Sequence, residues 1–181
     1  MKIRNLIGSA ISAVALTAGA AHASDFNGPF YQCVETDTVV FDGSIVDAAV
    51  ATPELSTLVT AVTAAGLVEA LDTIEYATVY APTDAAFGHL PSGILDALLA
   101  DVDALTAVLT YHVTTDPEWK ADPRRGSNTA PTMVSTLQGQ KLFAGWRNNH
   151  PMVNQSMANC TAVSTDNGIV WIIDSVLMPQ F

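Results

Sequence analysis

The sequence predicts an α+β domain with helices in its first half and a sheet in its second half. Between residues 44 and 112, apolar side chains recur at helical spacing, in segments that begin with residues typical of helix caps. After residue 131 the apolar runs are rich in β-branched and aromatic residues, which favour strands. Asn167-Gly168 separates the last two runs, and this pair predicts a hairpin turn with both residues at positive φ. Helices followed by strands are the order expected of an α+β domain.

The first residues have the features of a cleaved export signal. Lys2 and Arg4 precede an apolar, small-residue run over 6–21, and Ala21-His22-Ala23 fits the small-x-small cleavage pattern. A membrane anchor is the alternative, but the run is short and rich in small residues for a bilayer span. We therefore predict a signal peptide over 1–23 and an exported protein, either periplasmic or extracellular.

Charge excludes some classes of partner. After cleavage the chain would keep five basic and eighteen acidic residues. A chain of this charge repels phosphate backbones and anionic lipid surfaces, so we expect no nucleic-acid partner. No later segment is long and apolar enough for a membrane span.

The helical half begins after an N-terminal arm over 24–41, which has no sustained period. Ser44 and Asp47 resemble a capping box and predict a helix over 45–51. Thr52 and Pro53 open the next predicted helix, which ends at Gly66, and a short helical turn follows near residue 71.

A strand, a corner and a capped helix follow over 77–87. The β-prone run over 77–81 stops at Pro82, and Thr83 and Asp84 offer side-chain oxygens to the N–H groups of a new helix. Two further helical segments are predicted from residue 94, and from Asp101 to residue 112.

The second half is predicted to form strands joined by two long connections. The strands are expected over 132–137, 141–144, 153–163 and 169–175. The connections cover 114–131 and 145–151. Unstructured connections as long as the first are uncommon and often functional.

The chain contains two cysteines, Cys33 and Cys160, and both lie after the predicted cleavage point. In an exported protein such a pair is more typical of a disulfide than of a metal site. We predict one intramolecular disulfide that ties the arm to the strand before the last hairpin.

Three motifs in order resemble the fasciclin domain family. Residues 78–87 read Thr-Val-Tyr-Ala-Pro-Thr-Asp-Ala-Ala-Phe, residues 108–113 read Val-Leu-Thr-Tyr-His-Val, and residues 167–179 resemble the closing strand of the family. With Ser-Ile-Val-Asp-Ala-Ala over 44–49, the similarity spans roughly 42–180. The resemblance implies a twisted β-sandwich flanked by several short helices, as one domain over 42–181.

The residues that could carry chemistry do not form a recognisable active site. His89, His112 and His150 are the candidate bases, but none accompanies a serine or cysteine nucleophile motif. The histidines and cysteines also lack the spacing of a metal site. We therefore predict a binding protein rather than an enzyme, without a catalytic cofactor. The resemblance implies adhesion or interaction at the cell surface or in the surrounding matrix.

Tyr111 and His112 form the first candidate partner-binding site. The resemblance implies this role, because the matching pair is associated with adhesion in some animal members of the family. The alternative, which we favour, is that both are buried, with His112 hydrogen-bonded and the Tyr111 ring packed in the core. The Asp-Ile pair of integrin-associated members is replaced here by Ala162-Val163.

A second candidate partner-binding site gathers tryptophan and arginine on the two predicted connections, and these residue types dominate interface energetics. The residues are Trp119, Arg124, Arg125, Trp146 and Arg147. Such a patch suits an anionic partner, either a polysaccharide or a carboxylate-rich protein. The alternative is that the tryptophans pack on the domain and the arginines pair with its carboxylates.

A different function is carriage of a small apolar ligand such as a carotenoid, which the resemblance to some fasciclin-like proteins implies. A sandwich flanked by helices can open an apolar groove. Four methionines in the second half are candidates either to line such a groove or to fill the core: Met133, Met152, Met157 and Met178.

Overall fold

The structure is a computed structural model that describes Cys33, residues 36–126 and residues 130–181. The predicted signal peptide over 1–23 lies outside the described residues, as does most of the predicted arm. The described helices are α1 (Ile45–Ala51), α2 (Ser56–Ala64), α3 (Val68–Thr73), α4 (Asp84–Gly88), α5 (Ile94–Ala100), α6 (Val102–Tyr111) and α7 (Glu118–Ala121), with a 3-10 turn at Pro53–Leu55. The strands are β1 (Val39–Val40), β2 (Ala77–Pro82), β3 (Val113–Thr114), β4 (Thr132–Ser135), β5 (Lys141–Arg147), β6 (His150–Val153), β7 (Ser156–Thr165) and β8 (Gly168–Ile173).

The strands form one path that folds into two layers. Its order is β3-β2-β8-β7-β6-β5-β4, and β1 lies beside β7. The long strand β7 pairs with β6 at its start and with β8 from Ala158 onward, with a shift in register between Ala158 and Ala162. The front layer therefore contains β2, β3, β8 and most of β7, and the back layer contains β4, β5 and β6. The predicted α+β sandwich flanked by short helices is confirmed.

Two apolar cores lie on opposite faces of the front layer. Alternate residues of β2 point to opposite faces, so Val79 packs under the helices and Tyr80 packs between the layers. The helix-side core includes Leu58 and Leu105, and the sandwich core includes Trp171.

Local capping explains where three of the seven described helices begin. The capping box of Ser44 and Asp47 is present, and Asp101 accepts hydrogen bonds from the first turn of α6. Thr83 caps α4, as predicted. Asp84 was expected to do the same, but its carboxylate accepts hydrogen bonds from Thr57 N and Ser56 Oγ at the start of α2, both at 2.7 Å. Asp84 therefore fixes one helix against another.

The predicted hairpin is present, but the prediction that Asn167 and Gly168 form its turn, both at positive φ, is wrong. The turn residues are Asp166 and Asn167, and Gly168 already pairs with Thr165 as the first residue of β8. Asn167 is not at positive φ, and Gly168 is nearly extended at φ 158°. Tertiary contacts hold this geometry: Asn167 Oδ1 accepts from Ile45 N at 2.8 Å, and any Cβ on Gly168 would collide with the Ala77 carbonyl.

Two asparagine turns were not predicted. The first replaces the predicted connection over 145–151, and the second interrupts the predicted strand over 153–163. Asn148 and Asn149, at φ 52° and 66°, join β5 to β6, and Asn154, at φ 54°, begins the turn to β7. Asparagine tolerates this left-handed geometry, which two-residue hairpins require. The connection over 114–131 also differs from the prediction, because it contains α7.

Candidate functional site

An apolar pocket opens between the helices and the front layer of the sheet. Its volume is about 240 Å³, and helices α1, α2, α3 and α6 form its walls over strands β2 and β8. The inner surface includes Ile45, Leu58, Val62, Val79 and Leu109, all buried members of the helix-side core. The pocket is therefore continuous with the helix-side core. A ligand in the pocket would make apolar contacts with these side chains that no other described part of the protein makes.

Exposed apolar side chains border this pocket. Val50 on α1 and Val68 on α3 line it and are also exposed, to 64% and 37%. Leu137 comes from the turn between β4 and β5, and its N–H donates to the Val113 carbonyl at 2.8 Å. This contact holds the turn over the end of α6. The pocket thus has a mouth of aliphatic groups that remain in contact with solvent.

Three polar side chains line the pocket, and their hydrogen bonds are made within the chain. The Thr63 hydroxyl donates to the Val59 carbonyl, and the Thr110 hydroxyl donates to the Thr106 carbonyl. His112 uses both ring nitrogens: Nδ1 lies 2.8 Å from the Val108 carbonyl, and Nε2 accepts from Leu177 N at 2.9 Å. Burial lowers the pKa of His112 to about 4, so the ring is neutral at neutral pH.

The charges of the chain are divided unevenly around this pocket. Residues 36–119 contain thirteen acidic residues and no lysine or arginine, whereas residues 120–181 contain five basic and three acidic residues. None of the residues that line the pocket is charged. The helical half therefore presents an uncharged cavity inside an acidic surface.

The predicted pair Tyr111 and His112 faces inward. Tyr111 is 5% exposed and packs in the sandwich core, where its hydroxyl donates to the Lys141 carbonyl and accepts from Asn154 Nδ2. His112 is 2% exposed and lies at the pocket. Neighbouring residues therefore reach the two different cores, as the favoured alternative required, and neither is available at the surface for a partner.

The structure divides the predicted tryptophan and arginine patch. Arg124 pairs with the buried Asp122, donates to the Thr36 carbonyl at 2.9 Å, and lies 4.7 Å from the centre of the Trp171 ring. Trp146 is buried, and its Nε1 donates to the Arg124 carbonyl at 2.7 Å. These two side chains therefore follow the alternative in which the patch residues pack on and pair with the domain itself. Arg124 neutralises the buried Asp122 carboxylate, and Trp146 binds the backbone carbonyl of Arg124.

The other members of the patch remain outside. Trp119 is 64% exposed, and Arg147 is exposed at the end of β5. The Arg125 side chain is 63% exposed, with its Nε 3.4 Å from Asp122. The bond between Trp146 and Arg124 brings the two segments together, so their neighbours Arg125 and Arg147 flank the same contact.

None of the four methionines lines the apolar pocket. Met133, Met157 and Met178 are exposed, and only Met152 is buried. The feature of the sequence that could have predicted the pocket is the unusually wide apolar face of α1 and α2. Val46, Val50 and Val59 are apolar beyond the stripe that packs in the core, and all three line the cavity.

The predicted disulfide between Cys33 and Cys160 is present, with a Cα–Cα distance of 4.9 Å. It joins the arm to β7 close to Arg124, whose guanidinium also donates to the Cys160 carbonyl. Among the described residues, no three His, Cys, Asp or Glu side chains are grouped as metal ligands would be. In that same part of the chain, no single helix could cross a membrane; Ile45–Ala51 with Pro53–Ala64 has the length and composition, but the pair is bent by 107°.

Comparisons with known proteins agree with this geometry. A family model described as the fasciclin domain matches residues 53–179. The Synechocystis protein sll1735 is 36% identical over 75% of this chain and 97% of its own length. The immunogenic protein MPB70 of Mycobacterium bovis is 36% identical over 99% of both chains. The cell surface glycolipoprotein MPB83 of the same species is 39% identical over 75% of this chain and 60% of its own.

A solved structure shares the fold. The FAS1 domain pair from the insect cell adhesion molecule fasciclin I matches with a TM-score of 0.53, over 76% of this chain and 51% of that one. The identity is 12%, so this likeness concerns the fold alone.

Proposed function

The chain belongs to the fasciclin domain family, and from that premise we propose that it is an exported binding module of the cell envelope whose ligand occupies the apolar pocket. The observation that carries this proposal is the cavity of about 240 Å³ lined almost entirely by aliphatic side chains. Largely preformed apolar concavities are the usual form of small-ligand sites. The protein would act by binding rather than by covalent chemistry.

The energetics of packing support a binding role for this space. Unfilled apolar volume costs about 24 cal/mol per Å³, so 240 Å³ corresponds to roughly 6 kcal/mol if the space were closed and dry. The open mouth makes this figure an upper bound. Larger side chains at Ala49 or Ala70, which line the cavity, would fill part of it. A ligand that fills the cavity would supply the apolar contacts that are missing there.

The proposed location rests on relatives and on the disulfide. MPB83 is named as a cell surface protein, and this chain is 39% identical to it over 140 residues. A disulfide such as Cys33–Cys160 is typical of oxidising compartments outside the cytoplasm. Both observations favour export to the periplasm or the cell exterior.

Filling the pocket tests the proposed site. Ala49→Leu adds volume inside the cavity, whereas Ala64→Leu adds the same side chain at an exposed position of α2 away from it. We expect the first variant to lose binding of the uncharged dye Nile red by about tenfold or more and the second to bind like the parent. Organic extraction of natively purified protein should also release an apolar compound detectable by mass spectrometry. Equal dye binding by all three proteins would overturn the assignment.

A second candidate function, adhesion through the surface, is favoured by Trp119, which is 64% exposed and is followed in sequence by Lys120. We propose that Trp119, Arg125 and Arg147 contact an anionic polysaccharide or a carboxylate-rich protein of the cell surface or matrix. Arginine binds carboxylates through paired hydrogen bonds.

Its test must spare Arg124, which is structural. Alanine at Trp119, Arg125 and Arg147 should leave the melting temperature nearly unchanged, since all three are exposed. The same variant should lose attachment to cells or matrix, and attachment of the parent should weaken with added salt. Attachment that survives the triple substitution would remove this surface from consideration.

A further inference from the structure

We propose that the pocket selects an uncharged hydrocarbon chain and discriminates against anionic amphiphiles such as fatty acid anions. This inference rests on the proposed function, because it specifies the chemical class of ligand at the same site. Three observations carry it: the hydrogen bonds of the lining, the capping of the nearby helices, and the distribution of charge.

The side chains of the lining offer no free donor to a polar ligand group. The hydroxyl hydrogens of Thr63 and Thr110 are donated to helix carbonyls, and His112 donates through Nδ1 and accepts through Nε2. A carboxylate inside the cavity would lose its hydration without gaining a hydrogen bond from a lining side chain, and burial of such a group is strongly unfavourable. The buried part of the ligand must therefore be hydrocarbon.

Two of the helices that wall the pocket, α1 and α2, are already capped where an anion could otherwise bind, whereas α3 has no side-chain cap and carries Glu69 in its first turn. Free N–H groups at helix N-termini attract negative charge. At α1, Ser44 Oγ accepts from Asp47 N, and at α2 the Asp84 carboxylate accepts from Thr57 N. These N-termini are therefore occupied by side chains of the protein, one of them itself an anion.

The charge outside the pocket acts in the same direction. The four helices that wall the cavity lie within residues 36–119, which contain thirteen acidic residues and no lysine or arginine. Asp47 and Glu69 follow the pocket residues Val46 and Val68 directly in sequence, and both acidic residues are exposed. A negative head group left at the mouth would be repelled, whereas an uncharged or positive head group would not.

A series of ligands with one chain and three head groups tests this selectivity. 1-Dodecanol, dodecanoate and dodecyltrimethylammonium would compete with Nile red on the full mature chain at pH 8. We expect dodecanoate to compete at least about tenfold more weakly than dodecanol at low salt, and the gap to narrow at high salt. Equal competition by dodecanoate and dodecanol would overturn the selectivity but leave the pocket function intact. If none of the three displaced the dye, the proposed function itself would fail.

A matched pair of charge variants locates the effect. Val50→Lys places a cation at the mouth, and Val40→Lys makes the same change of net charge on β1, at a residue that is 76% exposed and does not line the pocket. The affinity for dodecanoate relative to dodecanol should rise about fivefold or more in the first variant and stay nearly constant in the second. Similar ratios in both variants would contradict a role for the charge at the mouth.

Discussion

Lowering the pH should destabilise the protein through His112. Its Nδ1 lies 2.8 Å from the Val108 carbonyl, which can only accept, so Nδ1 carries the proton and Nε2 accepts from Leu177 N. A second proton on Nε2 would face the Leu177 N–H and break this bond. Because no charged residue lines the surrounding pocket, nothing on that side would offset the new charge.

The expected magnitude follows from the pKa of this side chain. Burial, partly opposed by the hydrogen bond to Val108, lowers the pKa of His112 from 6.5 to about 4. The unfolded chain therefore binds the proton first as the pH falls, so stability is complete above pH 6.5 and decreases below it. Each pH unit between these values removes about 1.4 kcal/mol, so the loss is about 2 kcal/mol at pH 5 and about 3 kcal/mol at pH 4.

Urea unfolding between pH 8 and pH 5 would measure this loss, with His112→Gln as the reference. Glutamine does not titrate, and the difference between the two proteins cancels the contribution of the other groups that titrate in this range. The free energy of unfolding of the parent should fall relative to the variant by about 2 kcal/mol across that range. If the free energy of unfolding changed equally with pH in the two proteins, His112 would not be a buried neutral side chain.

Further predictions concern the hairpin, the disulfide and the buried ion pair. Gly168→Ala should destabilise the fold by about 2 kcal/mol or more in thermal or urea unfolding, because its Cβ would meet a backbone carbonyl of the neighbouring strand; a change within error would contradict this packing. Replacing Cys33 and Cys160 by serine should cost up to about 4 kcal/mol in the same assay, and thiol titration of the unreduced, unfolded parent should find no free thiol. Arg124→Ala should cost about 3 kcal/mol because it leaves the buried Asp122 carboxylate with only the exposed Arg125 as its ion-pair partner, whereas Arg125→Ala should cost less than about 1 kcal/mol. Equal losses for the two arginine variants would argue against the different roles.

The helices could be predicted because their signals are local. The capping oxygens of Ser44, Thr83 and Asp101 lie within three residues of the N–H groups that they accept from. The role of Asp84 could not be predicted in the same way, since its partner Thr57 is 27 residues away. Sequence patterns thus locate contacts within a helix but not contacts between helices.

The turns show the same limit. Asparagine can adopt positive φ, but the sequence does not specify which asparagine does so. Asn148, Asn149 and Asn154 adopt it, whereas Asn167 is held otherwise by its hydrogen bonds to α1 and to the Leu71 carbonyl.

The surface patch and the pocket depend on the whole fold. The inward position of Arg124 requires Asp122, Thr36 and Trp171 to meet from three parts of the chain. The pocket likewise depends on which apolar side chains of the helices are left without a packing partner from another element. The spacing of apolar residues along a helix does not show which side chains these are.

The unequal distribution of lysine and arginine also determines how the protein would respond to proteases that cut after these residues. No such bond exists anywhere in residues 36–119, so the walls of the pocket are resistant by composition. Arg125, with a side chain that is 63% exposed in the segment before β4, offers an accessible cleavage point. Because the disulfide between Cys33 and Cys160 spans this point, the two fragments would remain one covalent molecule after the cut. A nicked protein would then migrate as a single species until it is reduced, and the four helices that wall its pocket would lie in one uncut fragment.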